Sequence, residues 1–204
     1  MTVVAGIKTS DGVMLGADTG MTGDFGRKGS GISVVCQMDI NKLTSLTLDG
    51  GEELIWGAAG SWYAIQSLQL HWQPGTPMEN THGYLVNIVH EAIKILYEHA
   101  GDRRAAVEDE DYEGAAAFEM IIGFRGDLWA VSGEGCVDRV ADDYVAVGSA
   151  SLVTYGALYA TQGSDMRPAD RLTMSLDAAV YTNTEIRAPY TFATAGHATE
   201  KKGK

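Results

Sequence analysis

The chain has 204 residues, of which 45% are hydrophobic and 21% charged, a composition typical of a globular protein long enough to bury a substantial core. Its formal net charge is −12, so it lacks the basic surface that grips a phosphate backbone, and we expect no nucleic-acid partner. No run of apolar residues approaches the roughly 20 that a membrane-spanning helix needs, so we expect no membrane partner either.

The N-terminal segment and the cysteines bear on the compartment. The first residues lack the basic region of a secretory signal peptide and pass directly into a strand-like pattern. Cys36 and Cys136 lie far apart in the sequence and lack the spacing of a metal site. Because two isolated thiols in a chain without a signal favour the reduced state, the sequence predicts a cytoplasmic protein.

The chain opens with a pattern typical of a β-hairpin. Apolar side chains alternate with others over residues 3–7 and again over residues 13–17. Between the two runs lies Asp11-Gly12, a strong turn signal because glycine adopts positive φ at no steric cost. The sequence therefore predicts an N-terminal hairpin, followed by a loop rich in Gly, Thr and Ser over residues 19–33.

Beyond this loop, groups of strands alternate with pairs of helices. Strands are predicted from alternation and bounding turns at 43–48, 54–59, 118–124, 127–132, 136–140, 143–147 and around 190–193. Helices are predicted from apolar spacing at 61–73, 82–99, 150–162 and 168–182. The acidic stretch 101–116 is interpreted as a solvated linker or insert.

This order of elements predicts the architecture. Two blocks of strands, each followed by a pair of helices, favour two sheets packed face to face with helices outside both. No Pro- or Gly-rich linker marks a second domain, so we expect a single domain over residues 1–195. The polar residues 196–204 are predicted to form a disordered tail.

The common catalytic motifs are missing from the sequence, and the candidate nucleophile lies at its start. There is no G-x-S-x-G, H-E-x-x-H, C-x-x-C or P-loop pattern. Thr2 directly follows Met1, and its small side chain permits removal of the initiator methionine. An N-terminal Thr carries its own general base, because the freed α-amino group has an intrinsic pKa of about 7.7–8.0.

Several short segments resemble proteasome β subunits and the bacterial HslV peptidase. They follow the family's order along the chain: TVVAGI at 2–7, DGVMLGADT at 11–19, NKL at 41–43, GAAGS at 57–61, VGSA at 147–150 and LDAAVYTN at 176–183. The last segment is most similar to HslV. The resemblance runs from residue 2 to about 194 and implies a threonine peptidase of the N-terminal nucleophile hydrolase family. The fold that it implies is α+β, a four-layer αββα sandwich.

The resemblance assigns catalytic roles to five residues. Thr2 is the nucleophile, Lys42 keeps its amine neutral and eases formation of the alkoxide, and Asp18 orients Lys42 and compensates its charge. The backbone amide of Gly60 stabilises the oxyanion, and Ser149 joins the hydrogen-bond network of the nucleophile. The reaction implied is hydrolysis of peptide bonds through an acyl-enzyme ester on Thr2.

Five further residues match positions that contact substrate in the family. Thr22 matches a loop threonine whose backbone holds the substrate as an added strand. Met21, Ile40, Ala58 and Trp62 fall where the family lines its first substrate pocket. Because these four side chains are uncharged, we expect cleavage after apolar residues.

The resemblance also implies an assembly, partners and an ion. It implies homo-oligomeric stacked rings that receive unfolded protein or peptide chains from an AAA+ ATPase unfoldase. No cofactor is expected. A structural sodium ion held by the backbone carbonyls of Leu176, Ala179 and Thr182 is implied by the similarity to HslV.

Four alternatives stay open at this stage. The loop before Lys42 is longer than in the family, so Lys28 is a second candidate for the catalytic lysine. Ser149 is equally well interpreted as the N-cap of the helix at 150–162. Retention of Met1 would favour an inactive ring or scaffold subunit. An amidase of the same broad fold that acts on small molecules is a further possibility, less favoured by the proteasome-like spacing.

Overall fold

The computed structural model describes residues 2–23, 34–37, 40–106 and 118–197. Within these ranges the strands are β1 (Val3–Thr9), β2 (Gly12–Asp18), β3 (Gly20–Gly23), β4 (Val34–Gln37), β5 (Leu43–Thr47), β6 (Glu53–Gly60), β7 (Phe118–Phe124), β8 (Asp127–Val131), β9 (Val137–Arg139), β10 (Tyr144–Gly148) and β11 (Tyr190–Gly196). The helices are α1 (Trp62–His71), α2 (Thr81–Ala106), α3 (Ser151–Ala160) and α4 (Pro168–Thr182).

The strands form two larger antiparallel sheets and one small ribbon. The first sheet has four strands in the order β10-β1-β2-β11, so that β10 is an edge strand. The second has five strands in the order β5-β6-β7-β8-β9. Strands β3 and β4 pair with each other as a separate two-stranded ribbon. The predicted N-terminal hairpin is confirmed, with Val4 opposite Ala17 and Thr9 opposite Gly12.

Three apolar clusters show how the layers pack. One lies between the two sheets and includes Val4 and Leu15 from the first sheet and Ile55 and Ile121 from the second. A second cluster packs the outer face of the five-stranded sheet against α1 and α2, and a third packs the outer face of the four-stranded sheet against α3 and α4. The predicted four-layer αββα sandwich is therefore confirmed.

Some predicted boundaries are wrong. Gly20–Gly23 is a strand and not part of a loop, because it pairs with Val34–Gln37. Helix α2 continues through residues 101–106, which the acidic composition had placed in a solvated linker, while residues 107–117 lie outside the described ranges. Strand β11 extends to Gly196 by pairing with the whole of β2, so residue 196 is not part of a disordered tail, and residues 198–204 lie outside the described ranges.

Within the described part of the chain, no helix combines the length and the apolar character that crossing a bilayer demands.

Candidate active site

Thr2 lies directly before β1, at the end of the four-stranded sheet. Its carbonyl oxygen accepts two hydrogen bonds from Ser149, one from the backbone N–H at 3.0 Å and one from the hydroxyl at 3.3 Å. These bonds extend the ladder between β1 and β10 by one residue. They hold the backbone of Thr2 against the turn that leads into α3.

Asp18 and Lys42 form a buried ion pair beside the first residue of β1. Lys42 Nζ lies 2.8 Å from Asp18 Oδ1, and the two side chains are 2% and 0% exposed. The same carboxylate oxygen accepts the backbone N–H of Val3 at 3.0 Å. The carboxylate therefore connects the lysine to the residue that follows Thr2. Lys28, the alternative lysine, lies outside the described residues.

The surroundings of Lys42 affect its protonation. Burial lowers the pKa of Lys42, because removing the ammonium group from water penalises the charged form. The attraction of Asp18 and its hydrogen bond oppose this shift without reversing it. The folded protein therefore holds this proton less tightly than a lysine in water would.

Gly20 completes the surroundings of the ion pair through its backbone. Its carbonyl accepts a hydrogen bond from Lys42 Nζ at 2.7 Å, and its N–H donates to Asp18 Oδ2 at 2.9 Å. A Cβ atom at this position would lie 2.8 Å from the carbonyl oxygen of Glu185 and 3.0 Å from Asp18 Oδ2. Glycine therefore lets the backbone come close enough to bind both partners.

Gly60 lies where β6 passes into α1. It is exposed and has φ +125°, a conformation that L side chains rarely adopt. Among the described residues, no side chain caps α1 at Ser61. Because amides at the start of a helix lack intrahelical acceptors, this junction can offer backbone donors to a negatively charged oxygen.

Ser149 precedes α3 but is not its N-cap. The helix begins at Ser151, its N-cap is Ala150, and no described side chain makes a capping bond there. The Ser149 hydroxyl instead donates to the carbonyl of Thr2. The interpretation of Ser149 as a helix cap is therefore wrong, because the helix starts one residue later than the sequence predicts.

Glu119 contacts the same turn from the other sheet. It lies on β7 opposite Ala59, and its Oε2 atom accepts the backbone N–H of Gly148 at 2.9 Å. Gly148 has φ +98°, and a Cβ atom there would lie 2.2 Å from the Thr2 carbonyl oxygen. A glycine is thus required where the chain turns past Thr2.

The five residues predicted to contact substrate lie on four parts of the fold. Met21 and Thr22 lie on β3. Ile40 is buried just before β5, Ala58 is buried within β6, and Trp62 is half-buried at the first position of α1. Ala58 and Trp62 belong to one apolar cluster between the five-stranded sheet and its helices.

The predicted sodium ligands lie on the last turns of α4. Leu176 and Ala179 are fully buried. The carbonyl of Ala179 already accepts the N–H of Asn183 at 2.9 Å and the hydroxyl of Thr182 at 3.3 Å. The carbonyl of Leu176 lies within the helix, where it faces the N–H four residues later. Sodium binding at these carbonyls stays a prediction, and no step below depends on it.

Comparisons with known proteins find similarity at the level of structure. No protein-family model matches the chain, and no curated protein sequence matches it. BPH from Thiobacillus denitrificans aligns with a TM-score of 0.71 and 16% identity, over 98% of this chain and 100% of that chain. A Gly-1 mutant of Anbu from Hyphomicrobium sp. strain MC1 aligns with a TM-score of 0.69 and 17% identity, over 96% of this chain and 82% of that chain. Eukaryotic HslV from Trypanosoma brucei aligns with a TM-score of 0.61 and 18% identity, over 96% of this chain and 100% of that chain.

The chain has the proteasome-like fold of N-terminal nucleophile hydrolases. At these identities the likeness establishes the fold, and the activity has to be argued from the site itself. In this chain the segments that resemble the family lie at the first hairpin, the entry to β5, the junction of β6 with α1, the junction of β10 with α3 and the second half of α4.

Of the residues predicted to be catalytic, the structure joins two pairs directly by hydrogen bonds. Ser149 binds Thr2, and Lys42 binds Asp18. Sequence reasoning missed Gly20, whose contribution comes from its backbone and leaves no side-chain signal. It also missed Glu119, although a single charged residue in the otherwise uncharged strand FEMIIGF is a signal that could have been used.

Proposed function

We propose that this chain is a threonine-type endopeptidase subunit of a self-compartmentalised protease. Its nucleophile is the hydroxyl of Thr2, made N-terminal by removal of Met1, and its substrates are unfolded proteins and peptides. The observation that carries this proposal is the buried Lys42–Asp18 pair next to the start of β1, with side chains 2% and 0% exposed.

The free energy that it costs to bury the Lys42–Asp18 pair supports a catalytic role for the pair. Removing two charges from water costs several kcal/mol per ion in real proteins, and apolar residues of similar volume often replace such pairs without loss of stability. Here Asp18 accepts hydrogen bonds from Lys42, Val3 and Gly20. The arrangement ties a lysine of lowered pKa to the backbone one residue after the nucleophile.

The proposed reaction begins with Thr2. Its α-amino group accepts the hydroxyl proton directly or through a water molecule, and the resulting alkoxide attacks the scissile carbonyl. Lys42 lies near the start of the same strand, where its positive charge keeps the amine neutral and lowers the cost of the alkoxide. Asp18 keeps Lys42 in place and balances its charge. The product of this first stage is an ester between Thr2 and the acyl part of the substrate, which water then hydrolyses.

The oxyanion that forms during attack needs a hydrogen-bond donor. The backbone amide of Gly60 is the proposed donor, at the strand-to-helix junction described above. Removing one such donor in other acyl-transfer enzymes costs roughly 10²–10³-fold in kcat. Ser149 holds the carbonyl of Thr2 and so keeps the nucleophile in register with this donor.

The proposal includes an assembly and a compartment. The Anbu complex of Pseudomonas aeruginosa, another structural neighbour, is described as a helical assembly. For this chain we propose homo-oligomeric stacked rings in the cytoplasm, supplied with unfolded chains by an AAA+ ATPase. In such rings the active sites face an enclosed space.

The experiment compares peptide hydrolysis by the wild-type protein, Thr2→Ala and Thr2→Ser. All three second residues are small, so Met1 removal is matched across the series. We expect Thr2→Ala to lose activity completely and Thr2→Ser to retain part of it, because serine keeps a hydroxyl beside the α-amine. Activity that persists in Thr2→Ala would contradict the proposal. A wild-type protein that retains Met1 and hydrolyses nothing would favour the inactive ring subunit.

Substrate preference is tested with fluorogenic tripeptides. The expectation rests on the uncharged side chains of Met21, Ile40, Ala58 and Trp62, which favour cleavage after Leu or Tyr. Faster cleavage after Arg or Glu would refute this preference. Hydrolysis of small amides in place of peptides would support the amidase alternative.

A further inference from the structure

We propose that Glu119 is a positioning residue for Thr2, and that it acts by holding the Gly148-Ser149 turn that binds the Thr2 carbonyl. This inference rests on the proposed function, since it concerns the placement of the proposed nucleophile. It assigns a role to a carboxylate that the resemblance to the family did not single out.

The first step of the argument is the direction in which Glu119 points. On β7 the neighbours Phe118 and Met120 belong to the cluster that packs against α1 and α2. Ile121 belongs instead to the cluster between the two sheets. Because side chains alternate along a strand, Glu119 lies on the same face as Ile121, toward the four-stranded sheet. It occupies the end of this layer, where it is exposed.

The second step concerns the hydrogen bond that Glu119 makes. The backbone N–H of Ser149 bonds to the Thr2 carbonyl, across the ladder between β10 and β1. In an antiparallel ladder successive amides point to opposite sides, so the N–H of Gly148 points away from β1. Among the described strands β10 is the edge of its sheet, so none of them lies beside that amide to bind it. The Glu119 carboxylate accepts it at 2.9 Å from the opposite sheet.

The third step is the sensitivity of the turn. Gly148 adopts φ +98°, and a Cβ atom there would lie only 2.2 Å from the Thr2 carbonyl oxygen and 2.9 Å from Ala59 Cβ. The backbone thus passes Thr2 at close range in a conformation that few residues adopt. A hydrogen bond from the Gly148 amide to a side-chain acceptor restrains this conformation, and loss of the acceptor removes the restraint.

Movement of the Gly148-Ser149 turn would change the position of the proposed nucleophile, Thr2. Both hydrogen bonds to the Thr2 carbonyl come from Ser149, one residue after the amide that Glu119 binds. If the turn moves, the backbone of Thr2 loses its restraint on this side, and its hydroxyl moves relative to Lys42 and Gly60. Because catalysis is sensitive to displacements of about 1 Å, the expected effect is on kcat and not on substrate affinity.

The test compares Glu119→Gln with Glu119→Met. The two side chains have similar length, but only glutamine retains an acceptor for the Gly148 amide. Glu134→Met is the matched control, because Glu134 is an exposed glutamate on the turn between β8 and β9 and its loss changes the net charge equally. Readouts are kcat and KM on a peptide, and hydrogen–deuterium exchange of the segment joining β10 to α3.

We expect Glu119→Met to lower kcat roughly 10- to 100-fold with KM within about twofold of wild type. Its exchange at Gly148 and Ser149 should be faster. Glu119→Gln should stay within about threefold of wild type in kcat and should keep the exchange protection, because the acceptor is retained. Glu134→Met should match wild type in both readouts.

Two results would overturn the inference: wild-type kcat and exchange in Glu119→Met, or equal losses in the Gln and Met variants, since charge alone would then matter. The exchange measurement separates this inference from the proposed function. An inactive wild-type protein whose exchange still responds to Glu119→Met and not to Glu119→Gln would refute the peptidase proposal and leave the positioning of Thr2 by Glu119 supported.

Discussion

A Lys–Asp pair lies near each end of strand β1, and the two pairs differ in their surroundings. Near the start, Lys42 and Asp18 are 2.8 Å apart with side chains 2% and 0% exposed. Near the other end, Lys8 and Asp127 are 3.6 Å apart with side chains 19% and 27% exposed. Both pairs join a lysine to an aspartate, but the Lys8–Asp127 pair is in contact with water and the Lys42–Asp18 pair is buried.

This difference indicates what each pair does. A pair in contact with water gains little from its attraction and costs little to form. A buried pair forgoes hydration, and an apolar pair would fill the same volume at lower cost. The pair that lies beside Thr2 is therefore the one whose presence calls for a chemical reason, and the pair at Lys8 needs none. The four predictions that follow test this contrast, from the largest expected effect to the smallest.

The largest effect is expected on activity. Lys42→Ala should lower kcat/KM roughly 10³-fold or more. When catalytic residues act as a unit, removing one of them costs nearly as much activity as removing all of them. Lys42→Arg should not restore activity, since a larger planar guanidinium cannot take the place of the compact ammonium between Asp18 and the Gly20 carbonyl. Lys8→Ala should stay within about twofold of wild type. Peptide hydrolysis by the three variants checks this. Comparable losses of activity in the Lys8 and Lys42 variants would contradict a catalytic role confined to the Lys42 pair.

The next effect is expected on stability. Asp18→Asn leaves a buried lysine without its carboxylate, so the free energy of unfolding should fall by about 3–5 kcal/mol. Asp127→Asn should cost no more than about 1 kcal/mol. Chemical denaturation measures both. The double variant Asp18→Asn with Lys42→Met should be more stable than Asp18→Asn alone, because it leaves no unpaired buried charge. A double variant no more stable than Asp18→Asn would contradict this explanation.

A smaller effect is expected on the pH dependence of stability. Burial lowers the pKa of Lys42 from its ordinary value of 10.5, so the folded state releases this proton before the unfolded state does. Between the lowered pKa and 10.5 the unfolded chain binds more protons, and stability therefore rises with pH. The gain over the Lys42→Met variant should be about 1.4 kcal/mol for each unit of lowering. A difference between the two proteins that stays flat from neutral pH to 10.5 would count against a perturbed Lys42.

The smallest effect is expected at the half-exposed pair. Lys8→Met should change the free energy of unfolding by less than about 1 kcal/mol at low salt. In 1 M salt the Debye length is only about 3 Å, so this difference should shrink further. The effect of Asp18→Asn should persist in the same buffer, because buried pairs are screened much less. Equal salt sensitivity of the two variants would show that the Lys42 pair is hydrated.

Much of the fold could be predicted from the sequence, for physical reasons that also explain the errors. Helix α4 matches the predicted residues 168–182, because Pro at its start and a strong apolar spacing define both ends. Strands β3 and β4 were missed because each is only four residues long and gains its hydrogen bonds from a partner across residues 24–33. The end of α2 was missed because residues 101–106 carry charges and no apolar stripe.

The candidate site was only partly predictable. Thr2, Asp18 and Lys42 could be named as candidates because their side chains are reactive or charged and their neighbours in the sequence resemble a known family. The hydrogen bonds of Gly20 come from its backbone, so the residue type gives no sign of them in the sequence. Glu119 contacts Gly148 only because the two sheets stack, and a local sequence pattern does not predict which residues of separate sheets come into contact.

The most direct test of a catalytic Thr2 is the intact mass of the native protein before and after treatment with an epoxyketone peptide. BPH from Thiobacillus denitrificans has been solved in complex with epoxomicin, and the epoxyketone group requires both the hydroxyl and the free amine of an N-terminal Thr. We predict a mass that lacks Met1 and gains one inhibitor on each chain, with no gain for Thr2→Ala. A mass that retains Met1 and gains no inhibitor would contradict the assignment of Thr2 as the nucleophile.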